Sequence, residues 1–241
     1  MRTPAGAGGQ VVRVDRCELQ ATGEAWDFAR RYRAEIDAHW ERRKAERARF
    51  FNGTVHLMAG HAVAEGVLTA RFIRTDFKSF LYWRETGTPD RSVTDAFGSA
   101  LIRSAEGHVL LGRQREGNIN GGLAYLPGGF IDARDVAADG AIDIEASILR
   151  ELCEETGLLP AALERSPGFI TTFAGASVSI AAEFRSRLPS EALEGQILRH
   201  IGADPNSELA GVVIVSSARD LAGLDMPAYA RVLLNVLFKA E

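Results

Sequence analysis

Two hydrophobic periodicities run along the chain, and together they predict a mixture of strands and helices. Short apolar runs typical of strands occur at 11–19, 55–58, 67–73, 96–102, 108–112, 169–173, 178–184 and 212–215. Apolar residues at helical spacing occur at 24–49, 76–84, 143–155, 191–201 and 228–239. The irregular alternation of these elements favours an α/β fold built in layers.

A loop of turn-forming residues, Gly87-Thr88-Pro89-Asp90, predicts a boundary between two parts of the chain. Residues 1–90 are predicted to form an N-terminal α+β extension with a strand, a long helix and a hairpin, and residues 91–241 to form the main domain. The charged stretch at 41–49 is interpreted as a solvated helix face, with a basic groove for an anionic ligand as the alternative. The extension suits a substrate lid or a dimer surface, and its residues do not decide between these roles.

The overall composition excludes several classes of protein. Across 241 residues, 28 Lys and Arg stand against 32 Asp and Glu, and this acidic balance argues against nucleic acid as the main partner. The two cysteines, Cys17 and Cys153, are too few and too far apart for a disulfide framework or a zinc site. The chain has no apolar run long enough to span a membrane, and its first residues do not resemble a signal peptide, so we expect a cytoplasmic protein.

The most informative segment is a run of acidic residues inside the predicted helix at 143–155. Glu151, Glu154 and Glu155 are spaced i, i+3 and i+4, which places them on one helix face, where like charges repel. Arg150 can neutralise part of this charge, and a hard divalent cation such as Mg²⁺ or Mn²⁺ can neutralise the remainder. The opposite face of the helix is apolar and anchors it to a core: Ile144, Ile148, Leu152 and Thr156.

A paired-glycine turn precedes this acidic helix. Leu126-Pro127-Gly128-Gly129 ends a short predicted strand, and glycine allows the backbone to turn sharply and approach a ligand closely. The strand, the turn, the loop and the acid-faced helix together predict a site where backbone oxygens and carboxylates converge on a metal–diphosphate complex.

These residues resemble the signature of the Nudix hydrolases, whose pattern is G-x5-E-x7-R-E-U-x-E-E-x-G-U, with U an aliphatic residue. Residues 150–158 match the second half of this pattern at every specified position. The resemblance implies a Nudix fold, a mixed β-sheet sandwiched between helices, over residues 91–241. It also implies that a phosphoanhydride bond of a nucleoside diphosphate linked to another moiety is hydrolysed with Mg²⁺, or with Mn²⁺.

By the same resemblance, site residues are assigned to matching positions. Glu151, Glu154 and Glu155 would bind the metal and act in catalysis, the carbonyl of Gly129 would lie near the metal, and Arg150 would orient the glutamates. The general base is left open between these acids and two later ones, Glu183 and Glu208, each of which also suits an ordinary surface role.

The first half of the signature departs from the family pattern. Asp135 stands six residues after Gly129, where the family has Glu, and fourteen residues instead of seven separate it from Arg150. The helix and the turn can survive such a seven-residue insertion because lengthening a loop costs little free energy. The first acid of the signature is Asp135, Asp143 or neither, and we favour a helix N-cap role for Asp143.

A looser resemblance concerns the substrate. Residues 50–85 are similar to the N-terminal region of Nudix enzymes that cleave UDP-glucose and UDP-galactose. Arg71, Arg113 and Arg115 are candidates for contacts with phosphate or sugar, although such side chains are usually only solvated. The alternatives are ADP-ribose, dinucleotides or coenzyme A as substrate, or a Nudix-fold sensor that binds a nucleotide without cleaving it. A homodimer is compatible with the sequence.

Overall fold

The computed structural model describes residues 9–46 and 50–239. The strands are β1 (Gln10–Val14), β2 (Arg16–Ala25), β3 (Thr54–Ala64), β4 (Val67–Asp76), β5 (Asp95–Arg103), β6 (Val109–Gln114), β7 (Ala124–Tyr125), β8 (Gly128–Phe130), β9 (Leu163–Arg165), β10 (Phe169–Ala174), β11 (Ser177–Ser186) and β12 (Leu209–Val215). The helices are α1 (Asp27–Arg31), α2 (Arg33–Glu46), α3 (Phe77–Glu85), α4 (Ile144–Thr156), α5 (Ser190–Ala203) and α6 (Ala228–Leu237).

Nine strands form one mixed sheet between two layers of helices. Its main path is β1-β10-β11-β5-β6-β12, with the short strands β7, β8 and β9 paired to β6, β5 and β11. Among the described strands of this sheet, only β5 and β11 pair in parallel. Because strand side chains alternate between faces, Ala100 and Ile102 pack in the core under α4 and α5, whereas Leu101 packs in the core under α6. The expected α/β fold with a sheet between helices is confirmed.

A smaller sheet of three strands, β2-β4-β3, forms beside the large one. The predicted hairpin is present as the antiparallel pair β3–β4, and β2 pairs with β4 in parallel. α3 packs on this sheet through Phe80 and Trp83, which are fully buried and share a third hydrophobic core with Trp26. This core lies along the edge of the larger sheet, because Phe130 of β8 packs against it.

Two predictions for the N-terminal region were wrong in detail. The single strand expected at 11–19 is divided at Asp15, where the backbone N–H donates to the Gly66 carbonyl, so that β1 joins the large sheet and β2 the small one. The helix expected at 24–49 begins only after β2 and is interrupted at Tyr32. Its last residues, 47–49, lie outside the described residues. Periodicity identifies apolar faces but not the bends that redirect them.

The helix that carries the acidic run has the boundaries its sequence predicts. The Asp143 side chain accepts a hydrogen bond from the Ala146 N–H at 2.9 Å, which caps the first turn. Gly157 ends the helix with φ 68°, a left-handed conformation that favours glycine. The N-cap role favoured for Asp143 is thereby confirmed.

The inserted loop between Asp135 and the helix is folded against the small sheet. Val136 and Ile142 form an antiparallel bridge, and Ile142 N–H donates to the Leu19 carbonyl of β2 at 2.9 Å. The Gln20 side chain donates to the Asp139 carbonyl, also at 2.9 Å. The extra residues therefore connect the N-terminal sheet to the start of α4 and leave the acidic end of the helix undisturbed.

No helix among residues 9–46 and 50–239 combines the length and the apolar character that crossing a membrane requires.

Candidate active site

Three glycines bring α4 against the sheet at the position of the acidic run. Gly128 and Gly129 of β8 pair with Ser99 and Gly98 of β5. A Cβ on Gly98 would lie 2.6 Å from Ile148 Cγ1, and a Cβ on Gly129 would lie 2.5 Å from the carboxyl carbon of Glu151. Glycine is therefore required for the helix to lie so close, and the paired-glycine turn borders the Glu151 carboxylate.

Arg150 and Asp135 form a buried ion pair behind this surface. Arg150 Nη2 donates to both carboxylate oxygens of Asp135, at 2.9 and 3.0 Å, and Ser147 Oγ donates to Asp135 Oδ2 at 3.1 Å. The Asp135 carboxylate also accepts the Asp132 backbone N–H at 2.9 Å. Asp135, and not Asp143, therefore contacts the signature arginine across the insertion.

Glu155 is buried and both of its carboxylate oxygens have donors. Tyr125 Oη donates to Oε1, and the Gly128 N–H donates to Oε2 at 2.8 Å. Burial raises the pKa of Glu155 well above its ordinary value, and the nearby charges of Glu151 and Glu208 raise it further. The same burial and the Glu155 charge raise the pKa of Tyr125. The chain thus holds an acid in a position where ionisation is unfavourable without a cation.

Glu151 experiences the same repulsion at the surface of the cavity. Its carboxylate contacts Arg150 Nη1, but burial and the charges of Glu154 and Glu208 raise its pKa to about 7. Glu154 is exposed and lies 3.8 Å from the guanidinium nitrogens of Arg150 and Arg134. The three signature glutamates therefore form one electrostatically coupled group, and Arg150 compensates only part of their charge.

The side chains of this acidic group are chemically suited to bind a hard divalent cation. Glu151, Glu154, Glu155 and Glu208 offer only oxygen ligands, which Mg²⁺ and Mn²⁺ prefer, and their mutual repulsion is what a cation would relieve. Within the described part of the chain, no three His, Cys, Asp or Glu side chains already meet in a metal-binding cluster. A bound ion therefore requires these carboxylates to turn away from Arg150 and Tyr125.

A cavity of about 510 Å³ opens beside this group, large enough for a nucleotide-sized ligand. Glu151, Glu208, Gly128, Gly129, Asp132 and Arg134 lie at its acidic side. Phe51, Phe77 and Phe130 form what we call the aromatic wall, and the first two come from the N-terminal region. Arg84, Asp95 and Ser177 form what we call the polar wall. Desolvation and the charge of Glu154 raise the pKa of Glu208.

Other residues singled out from the sequence lie away from this cavity. Arg71 is exposed on the small sheet and pairs with Glu24 at 3.1 Å. The guanidinium of Arg113 donates to the Gly122 carbonyl, and that of Arg115 to the carbonyls of Ser207 and Leu209. Glu183 of β11 is buried outside the cavity and pairs with Arg103 at 3.3 Å and Arg185 at 3.2 Å. The structure brings Glu208, and not Glu183, to the signature glutamates.

Asp95 and Arg134 are two of the charged residues on the cavity surface that the sequence did not indicate. Asp95, the first residue of β5, gave no signal because it stands alone between a loop and an apolar strand. Arg134 belongs to a capping turn in which Asp132 accepts its backbone and side-chain N–H groups. Its spacing in an Asp132-x-Arg134-Asp135 run was the available signal, because charged residues so placed can cap one another.

Residues 94–195 match the model of the NUDIX domain, and the matched range includes α4 with its acidic run. The match begins after the region 50–85 and therefore does not reach the residues that resemble UDP-sugar enzymes. No curated protein matches the chain.

Among solved structures, the chain is similar to three that we describe here. The MutT protein from Methanosarcina mazei Go1 is 24% identical, with a TM-score of 0.41 over 61% of this chain and 94% of that chain. The Nudix hydrolase RenU from M. smegmatis is 18% identical, with a TM-score of 0.37 over 60% and 83%. A bifunctional NMN adenylyltransferase/ADP ribose pyrophosphatase from Francisella tularensis is 17% identical, with a TM-score of 0.40 over 66% and 45%.

Proposed function

We propose that this protein is a Nudix-type pyrophosphohydrolase that cleaves a phosphoanhydride bond in a nucleoside diphosphate linked to another moiety. The observation that carries the proposal is the coupled acidic group of Glu151, Glu154 and Glu155, of which Glu151 lines a nucleotide-sized cavity. Holding repelling carboxylates in a buried position is unfavourable for folding, and perturbed pKa values of this kind are typical of functional sites. The match of residues 94–195 to the NUDIX domain model supports this reaction class.

In this proposal the signature glutamates hold the divalent cation, Mg²⁺ or Mn²⁺, together with the Gly129 carbonyl. When bound, the cation neutralises the diphosphate and activates water. Arg150 positions Glu151 while its second nitrogen is fixed by Asp135, so the insertion leaves this arrangement in place. Arg134, which lies on the cavity surface, is the better candidate for a phosphate contact than Arg71, Arg113 or Arg115.

We propose Glu208 as the residue that accepts the proton of the attacking water. It lines the same cavity as Glu151, and its raised pKa brings it closer to the working range of a general base. Glu183 has two arginine partners outside the cavity, and its carboxylate is thereby engaged in holding the sheet. Glu208→Gln and Glu183→Gln are a matched pair, and the first should lower turnover far more than the second.

We propose that residues 1–90 form an extension that shapes the substrate cavity of a Nudix domain at 91–241. Supporting this, Phe51, Phe77, Trp83 and Arg84 line the cavity although they precede the Nudix match. An extension that supplies cavity walls suits recognition of the non-phosphate part of the substrate. The resemblance of 50–85 to UDP-glucose and UDP-galactose hydrolases makes UDP-sugars the first substrates to test.

The test is release of phosphate or nucleoside monophosphate from UDP-glucose, UDP-galactose, ADP-ribose, dinucleotides and coenzyme A, with Mg²⁺, with Mn²⁺ and with chelator. We expect metal-dependent cleavage of at least one compound. Glu155→Gln should abolish it, whereas Glu145→Gln, the same change on the same helix beside Arg165, should not. A protein that cleaves none of them but is thermally stabilised by one would be a sensor, and the proposal would be wrong.

A further inference from the structure

The cavity contains a second buried carboxylate that the signature does not explain. Asp95 begins β5, its residue is 8% exposed, and its side chain lies on the polar wall. Its backbone N–H donates to the Ala176 carbonyl at 2.8 Å, and Ser177 is its partner in the parallel pairing of β5 and β11. These backbone contacts therefore fix the position of Asp95 at the first residue of β5.

One oxygen of the Asp95 carboxylate has no donor in the part of the chain that the structure describes. This atom, Oδ1, is buried without a hydrogen-bond partner among residues 9–46 and 50–239. The charge of Arg84 acts on it favourably, but Arg84 Nη2 donates to Asn120 Oδ1. Burial raises the pKa of Asp95 to about 7. Buried polar atoms are normally paired, and an unpaired one destabilises the fold.

Glu183 is a second buried carboxylate in this sheet, and unlike Asp95 it has positively charged partners. It lies on β11, the strand that pairs with β5, and it contacts both Arg103 and Arg185. Asp95 is as deeply buried, but it lines the cavity, and its Oδ1 has no hydrogen-bond partner among the described residues. A ligand in the cavity is therefore an available source of the donor that Asp95 lacks.

We propose that Asp95 accepts a hydrogen bond from a hydroxyl group on the non-phosphate moiety of the substrate, and so selects nucleoside diphosphates that carry a sugar there. This proposal rests on the proposed function and specifies one part of its substrate, the sugar linked to the nucleoside diphosphate. The diphosphate belongs at the acidic side, where the cation would neutralise its charge and that of the glutamates. It does not belong beside Asp95, because this carboxylate would repel phosphate. A flat base fits the aromatic wall of Phe51, Phe77 and Phe130, and this leaves the polar wall for hydroxyl groups.

Arg84 and Ser177 complete the polar wall. Arg84 supplies N–H donors, and Ser177 supplies a hydroxyl that both donates and accepts. A sugar hydroxyl likewise donates and accepts, so neighbouring hydroxyls can satisfy an acceptor and a donor together. A site built in this way discriminates strongly against an analogue that lacks the hydroxyl, since the buried carboxylate is then left unpaired.

The test compares ligand pairs that differ only in the sugar moiety: UDP with UDP-glucose, and ADP with ADP-ribose. Dissociation constants are measured by calorimetry in a Glu155→Gln background, which prevents turnover. With Asp95 present, we expect the sugar-bearing member of at least one pair to bind about 10-fold or more tightly than its partner. In this background Asp95→Asn should remove most of that preference, and Glu183→Gln should leave it unchanged.

Thermal denaturation of the ligand-free protein gives an independent readout. Asp95→Asn should leave Tm unchanged or raise it, because no protein contact is lost, whereas Glu183→Gln should lower Tm. Three results would overturn the proposal: no preference for either sugar-bearing ligand, equal weakening of both members of a pair by Asp95→Asn, or a lower Tm in that variant. If binding discriminates but no compound is cleaved by the wild-type protein, the proposed hydrolysis fails and the role of Asp95 stands.

Discussion

The carboxylates at the two halves of α4 differ in whether neighbouring groups stabilise their negative charge. In the first half, Asp143 caps the helix, and Asp135 is held there by Arg150, Ser147 and a backbone N–H, so each carboxylate has its donors. In the second half, Glu155 is buried and Glu151 is half-buried, and both carboxyl groups have raised pKa values. The carboxylates of the first half therefore stabilise the fold. Those of the second half lower its stability, and a bound cation would relieve their repulsion.

This difference predicts opposite outcomes when carboxylates are removed from each half. Substitutions in the first half should lower stability first and activity as a consequence. Substitutions in the second half should lower activity while leaving stability intact.

The largest effect is expected for Glu155→Gln. The variant should lower kcat/KM by about 10³-fold, because the neutral side chain cannot hold a cation, while Tm stays equal to or above that of the wild type. Turnover of the best substrate and thermal denaturation measure the two quantities. Glu145→Gln is the control on the same helix. Wild-type turnover in Glu155→Gln would contradict the proposal that the glutamates in the second half of α4 bind the cation.

A stability effect is expected for Asp135→Ala. The variant removes the pair between Arg150 and Asp135, although Arg150 keeps its contact with Glu151. Breaking a buried pair costs about 3 kcal/mol. Denaturant unfolding should show this loss, and Tm should fall by roughly 10 °C. Asp139→Ala, in the exposed part of the same loop, should change stability by much less. If both variants were equally stable, the first half of α4 would not have the structural role assigned here.

A smaller effect with a defined pH dependence is expected for Asp95→Asn. The pKa of Asp95 is raised from 3.8 to about 7 in the fold, so the carboxyl is protonated in the native state and ionised in the unfolded state between these values. Wild-type stability is therefore lost relative to the variant as pH rises from about 4 to about 7. The difference should reach about 2 kcal/mol at neutral pH and vanish near pH 4. Unfolding at a series of pH values measures it, and a constant difference would contradict the burial of an unpaired carboxylate.

The smallest effect is stabilisation by the cation alone. At a concentration ten times its dissociation constant, Mg²⁺ should stabilise the wild type by about 1.4 kcal/mol, a rise in Tm of a few degrees. Glu151→Gln should reduce this rise, and KCl at matched ionic strength is the control for screening. An equal rise with KCl would remove the evidence for a specific site.

Local patterns in the sequence predicted much of what positions the site. The hairpin of β5 and β6, the helix α4 and both of its caps follow from periodicity and capping residues. The acidic face follows from the spacing of Glu151, Glu154 and Glu155. These features are encoded within a few neighbouring residues, so the sequence alone is sufficient to find them.

Features that depend on distant partners were not predictable in this way. The break at Asp15 is held by Gly66, fifty-one residues later, and the pairing of Asp135 with Arg150 spans an inserted loop. Asp95 is informative only because the fold buries it without a donor. Each depends on which segments meet in space, and that information is absent from the local pattern.

The most direct test of a cation held by the signature glutamates is anomalous diffraction from a crystal soaked with Mn²⁺ and a nucleoside diphosphate. We expect a manganese peak bounded by Glu151, Glu154 and Glu155 beside Gly129. Nucleotide density in the cavity without a peak at these carboxylates, or with the peak elsewhere, would contradict it.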